Sequence, residues 1–265
     1  TSGYRGLDPQ DVAVSVLDDE TAGFVVSSIS GSVTEEGGQG VFTVRLLGAP
    51  SSGSVVLSVS SGNTSEATVS PASLSFASSD WSSEKTVTVT GADDNVSDGN
   101  AGVRIALSVS SGPPEYSGLN PADVVVTNLD DETAGFAVSS ISGNLMEPSS
   151  ESTFTVKMTS APTATVTIPV DVGGSDEASV SPTNLVFTTT DWNADHEVRV
   201  SAVNDNISDG SQAFFVRLGS DNTTSDTSGY RGLDPQDVAV SVLDDETAGF
   251  VVSSISGSVT EEGGQ

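Results

Sequence analysis

The stretch Leu17-Asp18-Asp19-Glu20-Thr21-Ala22-Gly23-Phe24 returns unchanged at 129–136 and at 243–250. A chain that repeats itself is confined to architectures in which one unit is built several times over. Identity widens around these copies. Residues 1–39 equal residues 227–265, a period of 226, and a diverged half-repeat inside it aligns Tyr4 with Tyr116 and Tyr230. The unit is therefore about 112 residues long, the size of one small domain. The expected organisation is the last strand of an upstream repeat over 1–21, complete domains over 22–132 and 133–246, and the first strand of the next repeat over 247–265. The first segment, lacking its own sheet, is expected to be poorly ordered or to borrow an edge. Identity of this extent points to recent duplication and to a longer array of the same pair.

Alternation at a period of two dominates both domains. In the first, Phe42, Val44 and Leu46 alternate with polar residues, as do Val55, Leu57 and Val59; Leu74 and Phe76; Val87 and Val89; Val103, Ile105 and Leu107; and Val124 with Val126. The second keeps the plan with Phe154, Val156 and Met158; Val166, Ile168 and Val170; Leu185 and Phe187; Val198 and Val200; and Phe214, Val216 and Leu218. Ser, Gly, Asn and Pro clusters separate the runs, and no helical periodicity is sustained. The pattern predicts an all-β chain at the strand spacing of a seven-stranded sandwich. Asp80-Trp81 and Asp191-Trp192 follow the Leu-x-Phe strand in each domain, and each Trp is expected to cover one end of its sandwich.

The net charge of -29, from 37 acidic against 8 basic residues, excludes attraction to nucleic acid or to an anionic membrane surface. Cations are the natural partners, although such a surface also suits halophilic solvation. With no cysteine there is no disulfide or thiolate site, and no apolar run reaches the ~20 residues of a membrane span.

Acidic clusters recur at matching strand ends. The first domain carries Glu35 with Glu36 beside it; Asp93, Asp94 and Asp98; and Asp130, Asp131 and Glu132. The second carries Glu147; Asp205 and Asp209; and Asp244, Asp245 and Glu246. Asp18 and Asp19 hold the equivalent place in the first copy of the repeated stretch. Carboxylates from separate loops repel one another unless something positive sits among them. Calcium fits, because it takes six to eight oxygens in irregular geometry, with Asn95, Asn206 and backbone carbonyls available to complete the shell. Zinc would want His or Cys, of which His196 alone exists. Each aspartate taken singly is better read as a turn cap; it is the three clusters in register in both domains that favour a cation.

The order Val33-Thr34-Glu35-Glu36-Gly37, then Leu74-Ser75-Phe76, then Lys85-Thr86-Val87-Thr88-Val89 leading to Asp93-Asp94, closed by Val-x-Val-x-x-Leu-Asp-Asp-Glu, resembles the Calx-beta domain. It is most similar to the bacterial repeats of that kind in giant surface adhesins. The resemblance implies immunoglobulin-like Greek-key sandwiches arranged end to end, with calcium bound where neighbours meet. It implies ligand roles for Glu35, Asp94, Asp130, Asp131, Glu147, Asp205, Asp244 and Asp245. The family's Asp-Tyr segment is missing; Ser65-Glu66-Ala67 and Asp176-Glu177-Ala178 stand in its place. Asn204 and Pro148 stand where the first domain has Asp93 and Glu36, which predicts a weaker second site.

One histidine and no nucleophile-base pair leave little basis for an enzyme. The leading expectation is a calcium-stiffened spacer of a long protein on or secreted from a bacterial cell, with neighbouring repeats and calcium as partners and no membrane insertion. A receptor- or carbohydrate-binding adhesion module and a calcium sensor are the alternatives.

Overall fold

The computed structural model describes residues 6, 8, 10–15 and 19–257. These residues form strands and no helix. They divide into two compact units: the residues up to Asp94 with Asn100–Asp130, and Asn95–Gly99 with the residues from Asp131 on.

In the first unit β1 (Phe24–Val26), β3 (Gln39–Leu46), β7 (Lys85–Gly91) and β5 (Ala67–Ser70) form one sheet in the order β1-β3-β7-β5. The second sheet has the order β2-β9-β8-β4-β6, from β2 (Val33–Thr34), β9 (Val124–Leu129), β8 (Ala101–Ser111), β4 (Ser54–Ser61) and β6 (Ser73–Ala77). The second unit repeats this in register. β10 (Phe136–Val138), β12 (Glu151–Met158), β16 (His196–Ala202) and β14 (Ala178–Ser181) make the four-stranded sheet. β11 (Leu145–Met146), β18 (Val238–Leu243), β17 (Gln212–Leu218), β13 (Val166–Asp171) and β15 (Asn184–Phe187) make the five-stranded one. Each unit is a β-sandwich, as the alternation predicts.

The sandwich has nine strands rather than seven because two stretches divide between its sheets. The opening run gives β1 to one sheet and, after Gly31 turns the chain at φ 88°, β2 to the other. The second division falls between β5 and β6 at Pro71, whose missing N–H suits a point where the ladder must end.

The alternating residues bury as read. Phe42, Val44, Leu46, Val55, Leu57, Phe76, Val87, Val89 and Ile105 make the first core, and Phe154, Val156, Val166, Ile168, Phe187, Val198, Val200 and Val216 the second. Each such side chain contributes about 1.5–3 kcal/mol when fully withdrawn from water. Trp81 and Trp192 lie half-buried against their cores. Asp80 and Asp191 cap the turns that present them, accepting the N–H of Ala77 at 2.7 Å and of Thr188 at 2.6 Å.

The Phe that ends the first two copies of the repeated stretch has one role in both domains. Phe24 meets Tyr116 edge-on with centroids 5.6 Å apart, and Phe136 meets Tyr230 in the same way at 5.4 Å. Tyr116 donates its hydroxyl to Gly48 O. Tyr230 donates to Ser160 O at 2.9 Å and accepts the Ser160 N–H at 2.9 Å.

Asp11–Ser15 forms no strand and is exposed, with Val12 at 86%. The identical sequence 237–241 lies at and within β18, paired to β17. Phe250–Val252, identical in sequence to β1, likewise forms no strand and is exposed.

Candidate metal centre

Strand direction decides which loops meet in the second domain. β16 runs antiparallel to β14, β17 antiparallel to β18, and β11 parallel to β18. The C-terminal ends of β11 and β18 thus lie beside the start of β17, and the end of β16 beside the start of β14. A backbone bond from Ala202 N to Ser150 O, 2.9 Å, ties β16 to the turn after β11. Each strand end carries a carboxylate: Glu147 follows β11, Glu177 precedes β14, Asp205 lies beyond β16, Asp209 lies before β17, and Asp244, Asp245 and Glu246 follow β18.

Side-chain oxygens of Glu147, Asp205 and Glu246 lie within 4.8 Å of one another, and so do those of Glu177, Asp205 and Asp209. Asp205 belongs to both groups. Glu147 is 5% exposed and Glu177 9%, and no ion pair engages any of the five among the described residues. Glu147 Oε2 and Glu246 Oε2 are buried and take part in no hydrogen bond among the described residues.

Backbone donors hold the loops in place. Asp244 accepts the N–H of Glu246 and of Gly210, each at 2.8 Å. Asp205 accepts the N–H of Ile207 at 2.7 Å, an Asx turn that carries the chain through Asn206 at φ 60°. Its counterpart Asn95 has φ 65°. Asn tolerates this left-handed conformation better than most side chains do.

The electrostatics follow from the crowding. Burial first, then the Asp244 hydrogen bond and the charges of Asp245, Glu147 and Asp244, push the Glu246 carboxyl up to about 7. Burial and the Asp205 charge raise Glu147; burial and the charges of Asp209 and Asp205 raise Glu177. Asp244 is held low by the N–H groups of Glu246 and Gly210.

These residues fit a hard divalent cation. Buried carboxylate oxygens lacking donors are what such an ion satisfies, and the set is all oxygen, as calcium prefers. His196 starts β16, at the end of the strand away from Asp205, with its ring 4.3 Å from that of Phe187. It therefore offers this pole no nitrogen ligand for zinc.

In the first domain Glu35 is buried after β2 and Glu66 is buried before β5. Asn128 lies beneath both, its Nδ2 donating to Glu35 Oε1 at 3.1 Å and to Glu66 Oε2 at 3.2 Å. Asp94 and Asp130 are half-buried, while Asp93 and Glu36 are exposed. Asp98 and Asp131 are exposed and fall in segments that cluster with the second unit. Asp245 and Asp19 are exposed and enter no carboxylate group among the described residues; Asp18 lies outside those residues.

Sequence reasoning placed Glu246 in the closing acidic cluster but left Glu66 and Glu177 out altogether. The place where the family's Asp-Tyr segment is missing is filled by Glu66 and Glu177. The signal was the Glu-Ala pair repeated at matching positions, Glu66-Ala67 and Glu177-Ala178, each opening a strand.

The sequence matches the Calx-beta domain twice, over residues 18–132 and 130–246. The chain belongs to the Calx-beta family. Similar solved structures include CBD12 from CALX1.2, at 18% identity over 72% of this chain and 77% of that one with a TM-score of 0.30. Another is the calcium binding domain CBD12 of CALX1.1, at 16% identity, the same shares and a TM-score of 0.31. Domains 4–9 of the surface layer protein SbsC match at 17% identity over 84% of this chain and 31% of that one, with a TM-score of 0.25. No curated protein is matched.

Proposed function

We propose that this Calx-beta pair binds calcium. In the second domain Glu147, Glu177, Asp205, Asp209 and Glu246 would hold the ion, with Asp244 fixing the loops around it. In the first domain the corresponding positions are Glu35, Glu66 and Asp94, with Asp130 in the place of Asp244. The observation that carries the reading is the buried, donor-less oxygen of Glu147 inside a pole whose nearest charges are all negative. When bound, calcium supplies the positive charge that lets these carboxylates ionise together. The chain's own part is to hold five oxygen donors at the ends of five strands.

The biological role we infer is a spacer in a long bacterial protein outside the cell, on its surface or secreted. Residues 1–39 and 227–265 are identical, and duplication lengthens a spacer whereas it gives a receptor site only valency. A second reading, a calcium sensor, is favoured by the charge crowding that lifts Glu246 to about 7, since a pole under repulsion rearranges when the ion arrives.

Calorimetric titration separates the two. Extracellular modules bind calcium at roughly 10⁻⁴–10⁻³ M and sensors at roughly 10⁻⁷–10⁻⁵ M. Small-angle scattering adds shape: a spacer gives one narrow distance distribution in calcium and a broader one after chelation. Identical melting curves in EDTA and in millimolar calcium would reject calcium binding altogether.

A further inference from the structure

The two poles differ in one buried pair of residues. Asn128 in β9 faces Val33 of β2, and Val242 in β18 faces Leu145 of β11, so the two occupy the same register position. Both are buried, at 0% and 1% exposure. Asn128 Nδ2 reaches three acceptors: Glu35 Oε1 at 3.1 Å, Glu66 Oε2 at 3.2 Å and Ala92 O at 3.3 Å. Val242 has nothing to donate to Glu147 or Glu177.

The other member of the pair ends the neighbouring sheet's central strand. Gly91 of β7 stands opposite Ala67, and Ala202 of β16 stands opposite Ala178. A Cβ on Gly91 would come within 2.6 Å of Asn128 Oδ1 and 2.1 Å of Thr34 O, closer than real side chains approach. The Thr34 carbonyl and the Asn128 amide together leave room for glycine alone at this position. Where the amide gives way to valine, the glycine gives way to alanine.

We propose that Asn128, seated against Gly91, is a positioning residue that braces Glu35 and Glu66 in the calcium-free first domain. The second domain, built with Val242 and Ala202, relies on the ion itself for the same service. The physical basis is that one amide shared between two carboxylates lays the positive end of its dipole between like charges and fixes their separation before the ion arrives. This inference rests on the calcium reading above.

The test uses the full chain, because each domain contains a single tryptophan: Trp192→Phe leaves Trp81 to report the first domain, and Trp81→Phe leaves Trp192 to report the second. Asn128→Val should lower the calcium-free melting temperature of the first domain by roughly 12–25 °C, the loss expected for two hydrogen bonds to charged groups in a domain of this size. The calcium-loaded value should fall by less than half as much. Asn128→Asp, which keeps the shape but removes the donor and adds a charge, should lose more without calcium and show a wider calcium-induced rise. The transplant Val242→Asn with Ala202→Gly should raise the calcium-free melting temperature of the second domain and narrow its calcium-induced rise.

Equal losses with and without calcium for Asn128→Val would make Asn128 an ordinary core residue and overturn the proposal. So would Asn128→Asp melting like the parent in EDTA, the measurement that decides if the valine variant does not fold. If neither parent domain responds to calcium, the calcium reading fails, and the brace still stands or falls on the EDTA melting of the two Asn128 variants.

Discussion

Glu147→Gln removes one charge from the second domain's pole while keeping its shape, and it should move calcium-free and calcium-loaded stability in opposite directions. Ligand binding only to the folded chain stabilises it by about 2.7 kcal/mol at a hundredfold excess of calcium over Kd. The matched domain spans 130–246. At about 2.1 cal/mol/K per residue, its unfolding entropy is about 0.24 kcal/mol/K, so the parent's calcium-induced rise is about 11 °C. Loss of even an outer-shell partner weakens metal sites by about ten- to a hundredfold. At the same calcium concentration that shrinks the rise to about 6 °C or about 2 °C. In EDTA the variant should instead melt above the parent, because Glu147 is 5% exposed, lacks a donor on Oε2 and faces the charges of Asp205, Asp244 and Asp245. The assay is Trp192 fluorescence in a Trp81→Phe background, melted in EDTA and in calcium. A variant that keeps the full calcium rise, or that melts below the parent in EDTA, would refute the placing of Glu147 at the ion.

The raised carboxyls of Glu147, Glu177 and Glu246 destabilise the calcium-free domain as they ionise, so the penalty is absent below about pH 4.5 and grows as pH rises, for Glu246 through about 7. The second domain in EDTA should accordingly melt higher at pH 5 than at pH 8, and calcium titrations should show weaker binding at pH 5; the reverse order would contradict the crowding. Asp226 behaves oppositely. Burial raises its carboxyl, but bonds from Ser228, Tyr230 and Thr163 outweigh that and hold it low, so its contribution is present above about pH 3.8 and lost as pH falls below it. Asp226→Ala should cost the second domain about 3 kcal/mol by urea titration at pH 7, since it strands the buried N–H groups of Ser228 and Tyr230. Tyr230→Phe should cost about 1–3 kcal/mol and Tyr116→Phe less, because the Tyr230 hydroxyl also accepts the Ser160 N–H while that of Tyr116 donates to Gly48 O. Equal losses at the two tyrosines would show that the Ser160 contact adds nothing.

Most of the fold was legible because the residues that alternate are also the residues that bury. Leu74 and Phe76 in β6, or Val198 and Val200 in β16, need no more than a period of two to be placed. What periodicity does not supply is the partner strand. Residues 237–241 and 11–15 share one sequence, yet only the first copy reaches into a strand, where β17 runs alongside from Gln212 to Val216. Strand propensity is a preference for a half-buried pleated surface, and it stays unexpressed where that surface is missing.

The candidate site was legible in its exposed half and obscure in its buried half. Aspartates in turns advertise themselves, so Asp205, Asp209 and Asp244 were found, but Asp93 was found by the same rule and lies exposed. The predicted weakness of the second site rested on Asn204 and Pro148, whose first-domain counterparts Asp93 and Glu36 both sit at the surface. The buried difference lies instead on the alternating strand itself. Val124, Val126 and Asn128 face the same way along β9, and all three are buried. A polar residue on the inward phase of a strand, one residue before Leu-Asp-Asp, must have acceptors waiting for it. The acceptors at that strand end are the carboxylates of the loops, Glu35 and Glu66. In the first domain the carboxylates of the pole can thus be sought from the inside outward, from the buried amide; in the second, where Val242 holds that position, only the loops announce them.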